Sequence, residues 1–171
     1  THEAVGAYDG TRHRKAGGIR TMSSVTLVEI AVQDAAGVRA AFDNGADRVE
    51  LVQALSTGGL TPSAGMVDAA ISACNGDGSR ICVLVRPRPG GFVYNPEEAA
   101  IVWDDIRRLV QQGVGGVVIG ALTRDGLADV EVIKRWQEAA GEKEFVFHRA
   151  IDASADPDAV FDSLLDLGVH R

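Results

Sequence analysis

Cysteine is scarce: the 171 residues hold two, Cys74 and Cys82, in no CxxC or other metal-ligand spacing. That excludes a disulfide framework and a cysteine zinc site, and it suits a reduced, cytoplasmic interior. No apolar run approaches the roughly 20 residues needed to cross a bilayer. The N-terminal stretch has no apolar signal-peptide core. Positive charge is also in short supply. Net charge is −7 and pI about 5.0, which argues against a general nucleic-acid binder and against a polybasic membrane-surface protein. Two phosphate-binding signatures are missing as well, GxGxxG after the first strand and GxxxxGK[ST] anywhere.

What is present begins with a contrast. Residues 1–24, THEAVGAYDGTRHRKAGGIRTMSS, lack hydrophobic periodicity, and we read them as a disordered tail. Residues 25–171 read as one domain. From Val25 apolar runs alternate with helical patterns. VTLVEIAV (25–32), DRVELV (47–52), RICVLVR (80–86), GVVIGAL (116–122) and FVFHR (145–149) read as strands. Asp34 suits an N-cap and Gly45 a helix end. Thr61-Pro62, Asn95-Pro96 and Asp156-Pro157 each suit a helix start, and a fourth helix is expected over roughly 128–140. The recurring order of helix, Gly and strand predicts right-handed βαβ units on a parallel sheet. The nearly continuous apolar strands predict that both faces are covered.

Without a dinucleotide fingerprint, an α/β fold of the (β/α)8 TIM-barrel kind is the better match. The expected architecture is a partial barrel of about five βα units plus the start of a sixth strand at Val169-His170-Arg171. Complete barrels need about 250 residues, so 25–171 is expected to be an incomplete barrel domain. Its open edges would favour homo-oligomerisation.

Barrels build their sites at the C-terminal ends of strands. Glu29, Glu50, Arg86 and His148-Arg149 are assigned to such ends, with Arg88 and Asp152 just beyond. Glu29, Glu50, His148 and Asp152 are candidate catalytic groups, because carboxylates and imidazole move protons near neutral pH. Arg86, Arg88 and Arg149 are candidate substrate-binding groups, since guanidinium forks suit carboxylate or phosphate. His148 is also a candidate metal ligand. Each has a plainer reading: Glu50 could pair with Arg48 or Arg86, and a lone histidine is more often structural than catalytic. The fourth strand end, Gly120, looks featureless.

The segments LVEIAV, NGADRVELVQALSTGGLTPSAGMV, VLVRPRPGGFVYNPEE, VVIGALTRDGLAD and FVFHRAIDASADP resemble the CutC copper-homeostasis family from about Leu27 to Arg171. The resemblance implies a TIM-like barrel, a cytoplasmic location, and a role in copper homeostasis with a copper ion bound. Glu29, Arg48, Glu50, Thr61, Arg86, Arg88, His148, Arg149 and Asp152 fall on matching family motifs. Two positions depart: Ala31 and Val52 stand where many relatives carry cysteine. Thiolates are the soft ligands of Cu(I), so the departures imply weak Cu(I) binding here. The alternative function is a metal-independent or divalent-metal lyase, isomerase or hydrolase acting on a small anionic substrate.

Overall fold

The protein is described by a computed structural model covering residues 26–169 and 171. The tail expected over 1–24 lies outside the described residues. Five parallel strands alternate with five helices: β1 (Glu29–Val32), α1 (Ala35–Asp43), β2 (Arg48–Leu51), α2 (Ala64–Ala73), β3 (Ile81–Leu84), α3 (Pro96–Gln112), β4 (Gly116–Ile119), α4 (Val130–Ala140), β5 (Glu144–Phe147) and α5 (Pro157–Asp166). The strands pair in the order β1-β2-β3-β4-β5. Each strand thus lies beside the next in sequence, the arrangement from which TIM barrels are built.

Local chemistry explains the helix boundaries. Asp34, Ser63, Asn95, Asp129 and Asp156 each accept a backbone N–H of the first turn, satisfying donors that have no partner within the helix. Asn95 and Glu98 form a reciprocal capping box, and Pro96 follows in the first turn. The expectation at Thr61-Pro62 needs correction. Ser63 caps α2, and Thr61 is used elsewhere, against Arg86 just beyond β3.

The strands are shorter than the apolar runs suggest. Before β1, the Val28 N–H donates to the Asp47 carboxylate at 2.7 Å, so a side chain takes this donor while the Val28 carbonyl still accepts the Asp47 N–H at 2.9 Å. After β3, the Arg86 N–H donates to Thr61 Oγ1 at 2.9 Å, and the chain leaves the sheet.

Side-chain alternation divides the buried residues into two layers. The larger lies between sheet and helices and includes Val49, Leu51, Ile81, Val83, Val117, Ile119, Ile133 and Trp136. The smaller is the concave inner face, formed by Val52, Cys82, Leu84, Val118 and Val146. Curvature is visible in one contact. Strands β2 and β5 are three spacings apart, about 14 Å in a flat sheet. Yet Arg48 Nη1 reaches Glu144 Oε1 at 2.9 Å, because the sheet curls around that face. Beyond β5, the Phe147 N–H donates to the Arg171 carbonyl at 2.8 Å, where a sixth strand would pair. The fold is therefore a TIM-barrel-like α/β sheet of five units. Among the described residues, no helix is long and apolar enough to cross a membrane.

Candidate functional site

The concave face encloses a cavity of about 500 Å³ whose lining includes Glu29, Glu50, Arg86, His148, Arg149 and Arg171. Five of the seven residues singled out from the sequence therefore share one cavity. Arg88 and Asp152 lie outside its lining. Arg88 Nε and Nη2 donate to the Glu98 carboxylate, the latter at 3.1 Å. Its remaining donors reach the carbonyls of Pro89, Gly91 and Val93. Arg88 thus ties the loop after β3 to the start of α3, and that use of its N–H groups keeps it out of the cavity. Asp152 is exposed on the 3-10 turn Arg149–Ala153.

Glu29 also differs from expectation. It is the first residue of β1, not its C-terminal end. It belongs to a closed ring of alternating charge. Arg48 Nε lies 2.6 Å from Glu29, and Arg48 Nη1 lies 2.9 Å from Glu144. Arg171 contacts both Glu29 and Glu144. The two arginines hold the Glu144 carboxyl below its usual range even though burial opposes them. Cys82 abuts the ring, with Sγ 3.5 Å from Glu144 Oε2. Burial first, then Glu144 and Glu29, push its thiol up to about 12. Glu29 and Arg171 carry the ring to the floor of the cavity, which they line.

The mouth is built differently. Thr61 fixes the backbone of Arg86 from both sides: its Oγ1 accepts the Arg86 N–H, and its N–H donates to the Arg86 carbonyl at 3.0 Å. The Arg86 side chain is only 6% exposed. It donates to the carbonyls of Thr57, Gly59 and Gly90 at 3.3, 3.1 and 2.6 Å, and its Nε is buried without a partner among the described residues. Among the described residues no carboxylate pairs with it. Gly59 makes the close packing feasible. Its φ is +86°, and a Cβ there would lie 2.6 Å from the Leu84 side chain.

His148 follows β5 directly and caps the next turn. Its Nδ1 accepts the Ala150 N–H at 3.1 Å. The neutral ring therefore carries its proton on Nε2, and that atom is buried without a partner among the described residues. Burial, with Arg86 and Arg149 adding to it, lowers its pKa to about 4. The ring lies against Gly120, where a Cβ would stand 2.3 Å from its Cε1 and Nδ1. The seemingly featureless strand end is thus the space the imidazole occupies. Phe92 packs between the two groups, 5.0 Å from the His148 ring and 5.0 Å from Arg86 Cζ. Arg149 is exposed at the rim.

Glu50, inward-facing on β2, has no ion pair among the described residues, because Arg48 is committed to Glu29 and Glu144. Burial, reinforced by Glu29, raises its carboxyl pKa, and Arg171 offsets part of this. It can exchange a proton closer to neutrality than an ordinary glutamate.

A copper site does not fit this donor set. Among the described residues no three His, Cys, Asp or Glu side chains are grouped to hold a metal ion. A metal on His148 Nε2 would force the proton to Nδ1, where the Ala150 N–H already points. Cys82 is held as a thiol, and Ala31 and Val52 offer no ligand.

The sequence reading missed Arg171 and the pairing of Arg48. Their signal was weak: inward-facing charges of opposite sign near the starts of three strands.

Comparison with known proteins agrees with this architecture. The chain is 38% identical over 145 residues to a family protein CutC of Agrobacterium fabrum, covering 85% of this chain and 56% of that protein. It is 40% identical over 144 residues to one of Xanthomonas axonopodis pv. citri, covering 84% and 59%. It thus spans under two thirds of the length of these curated relatives. The crystal structure of a protein named for copper homeostasis, CutC of Streptococcus agalactiae, superposes with a TM-score of 0.76 at 32% identity, covering 84% of this chain and 70% of that one. KD(P)GA of T. tenax, at 17% identity and a TM-score of 0.54 over 84% of this chain and 52% of that one, shares the fold alone. The CutC family model matches residues 26–171, and the chain belongs to the CutC family.

Proposed function

We propose that the cavity binds a small anionic ligand and moves a proton on it, with Arg86 holding the anion and Glu50 acting as base or acid. One observation carries this reading: a buried guanidinium beside the cavity has backbone carbonyls for partners and, among the described residues, no carboxylate. A buried charge without a counter-ion is costly, and a bound anion removes that cost. His148 adds a neutral N–H donor, and Arg149 adds positive charge at the rim. Asp152, exposed beside the rim, has no contact that assigns it a role. The reaction class is that of a lyase or isomerase whose step is proton transfer next to a stabilised anion.

The relative from S. agalactiae is named for copper homeostasis, but the donor set described above does not favour copper as the ligand of this cavity. The metal reading has its own check. Competition with a Cu(I) chelator should show weak binding, and tight one-to-one Cu(I) binding that survives Cys74→Ala and Cys82→Ala would restore it.

The proton-transfer reading is tested with a panel of small carboxylates and phosphates in deuterated water. A ligand should raise the Tm and exchange a carbon-bound proton for deuterium. Glu50→Gln should abolish exchange while binding persists. Binding that is indifferent to Arg86→Lys, or an absence of any anion effect, would refute it.

A further inference from the structure

We infer that the anionic group taken by Arg86 is the monoanionic carboxylate of a small ligand with an apolar body, and not a phosphate. The inference rests on the anion-binding reading above and goes further by naming the ligand's chemistry. It begins with a count of donors. A guanidinium has five N–H groups. Two on Nη1 are directed at the Thr57 and Gly59 carbonyls, and one on Nη2 at the Gly90 carbonyl. The Nε–H and one Nη2–H remain: among the described residues Nε has no hydrogen-bond partner, and the guanidinium lies beside the Tyr94 hydroxyl, which is itself buried without one. With the unpartnered Nε2–H of His148, the mouth offers three donors. A carboxylate with two oxygens can engage all three, in the fork geometry guanidinium favours. A phosphate dianion, with three or more oxygens to satisfy, would leave acceptors bare in a buried place.

Charge points the same way. Arg86 supplies one buried positive charge, and His148 stays neutral with Nδ1 occupied by the Ala150 N–H. A second negative charge on the ligand would meet the unpaired Glu50 on one side and, on the other, the exposed Arg149 and an Arg171 already shared by Glu29 and Glu144. One negative charge matches one buried positive charge.

The rest of the cavity specifies the body. Val52, Leu84, Val118 and Val146 are buried, form the inner apolar cluster and line the same cavity. Phe92 lies over both Arg86 and His148. The buried N–H groups of both residues lie beside that ring, so we expect the ligand's carboxylate to displace it on reaching them.

The experiment titrates the full chain with isobutyrate, benzoate and inorganic phosphate, following the His148 ring and Phe92 resonances by NMR. The two carboxylates should bind at least tenfold tighter than phosphate and shift both sets of resonances. His148→Phe, which removes the ring N–H, should weaken isobutyrate at least tenfold, and Phe92→Ala should strengthen it. Phosphate binding as tight as either carboxylate would overturn the carboxylate inference and leave the anion-binding function standing. Failure of all three probes to bind would overturn both. Carboxylate binding that leaves the His148 and Phe92 resonances unmoved would place the ligand elsewhere and also overturn the inference.

Discussion

The two ends of the concave sheet face carry similar side chains in opposite states. At the floor, Glu29, Arg48, Glu144 and Arg171 alternate in a ring where each charge has two partners of opposite sign. At the mouth, among the described residues, Arg86 has three carbonyls and no carboxylate and His148 Nε2 is buried alone; deeper in the cavity, level with Cys82 and Glu144, Glu50 has no ion pair among the described residues. Charge that is fully answered within the protein holds the fold together. Unanswered charge costs stability and is retained where a ligand supplies the missing partner. The same residue types therefore divide into structure and site by pairing.

The sharpest way to break the contrast is at the floor. Arg48→Met leaves Glu29 and Glu144 sharing Arg171 alone. We expect a loss of about 3 kcal/mol in urea unfolding, at the low end of the range for a buried pair because Glu144 is partly exposed. A loss below about 1 kcal/mol would show the ring to be incidental.

Next comes Gly120→Ala. The new methyl collides with the imidazole at 2.3 Å, and the ring must move. The expected cost is about 2 kcal/mol, with loss of isobutyrate binding. Unchanged binding would mean that His148 is not positioned by this glycine.

The third effect is pH dependence. His148 has a folded pKa of about 4 against an unfolded value of 6.5, so the unfolded chain binds more protons between those values. Its contribution is present above pH 6.5 and lost as pH falls toward 4. Wild type should therefore lose roughly 1–2 kcal/mol more than His148→Asn across that window. Parallel pH profiles would remove the buried neutral imidazole from the account.

The smallest effect sharpens the comparison from the other side. The Glu50 pKa is raised in the folded state, so the folded chain binds more protons than the unfolded one just above the ordinary carboxylate range. Ionised Glu50 then weakens the fold as pH rises through that window. Glu50→Gln should be neutral or stabilising at pH 7, by under about 1 kcal/mol, whereas Glu29→Gln at the floor should destabilise. Equal losses from both substitutions would erase the distinction between paired and unpaired charge.

The sequence by itself determined the succession of elements and most of their ends. Apolar runs with β-branched residues, interrupted by Asp34, Asn95-Pro96 and Asp156-Pro157, settle strand and helix locally, because caps and fixed proline φ act within a single turn. It also marked Glu50, Arg86 and His148, since ionisable groups at inward strand positions stand out in an apolar run. Tertiary structure alone decided which charges are paired. Arg48 meets Glu144 across 96 residues of chain, and Glu29 meets Arg171 across 142. Arg88 is drawn away from the site by the Glu98 that also closes the capping box of α3. Gly120 gains its meaning only when β5 places His148 against it. Ion pairing and steric exclusion act over a few ångströms in space, and the curl of the sheet, not spacing along the chain, brings those atoms within range.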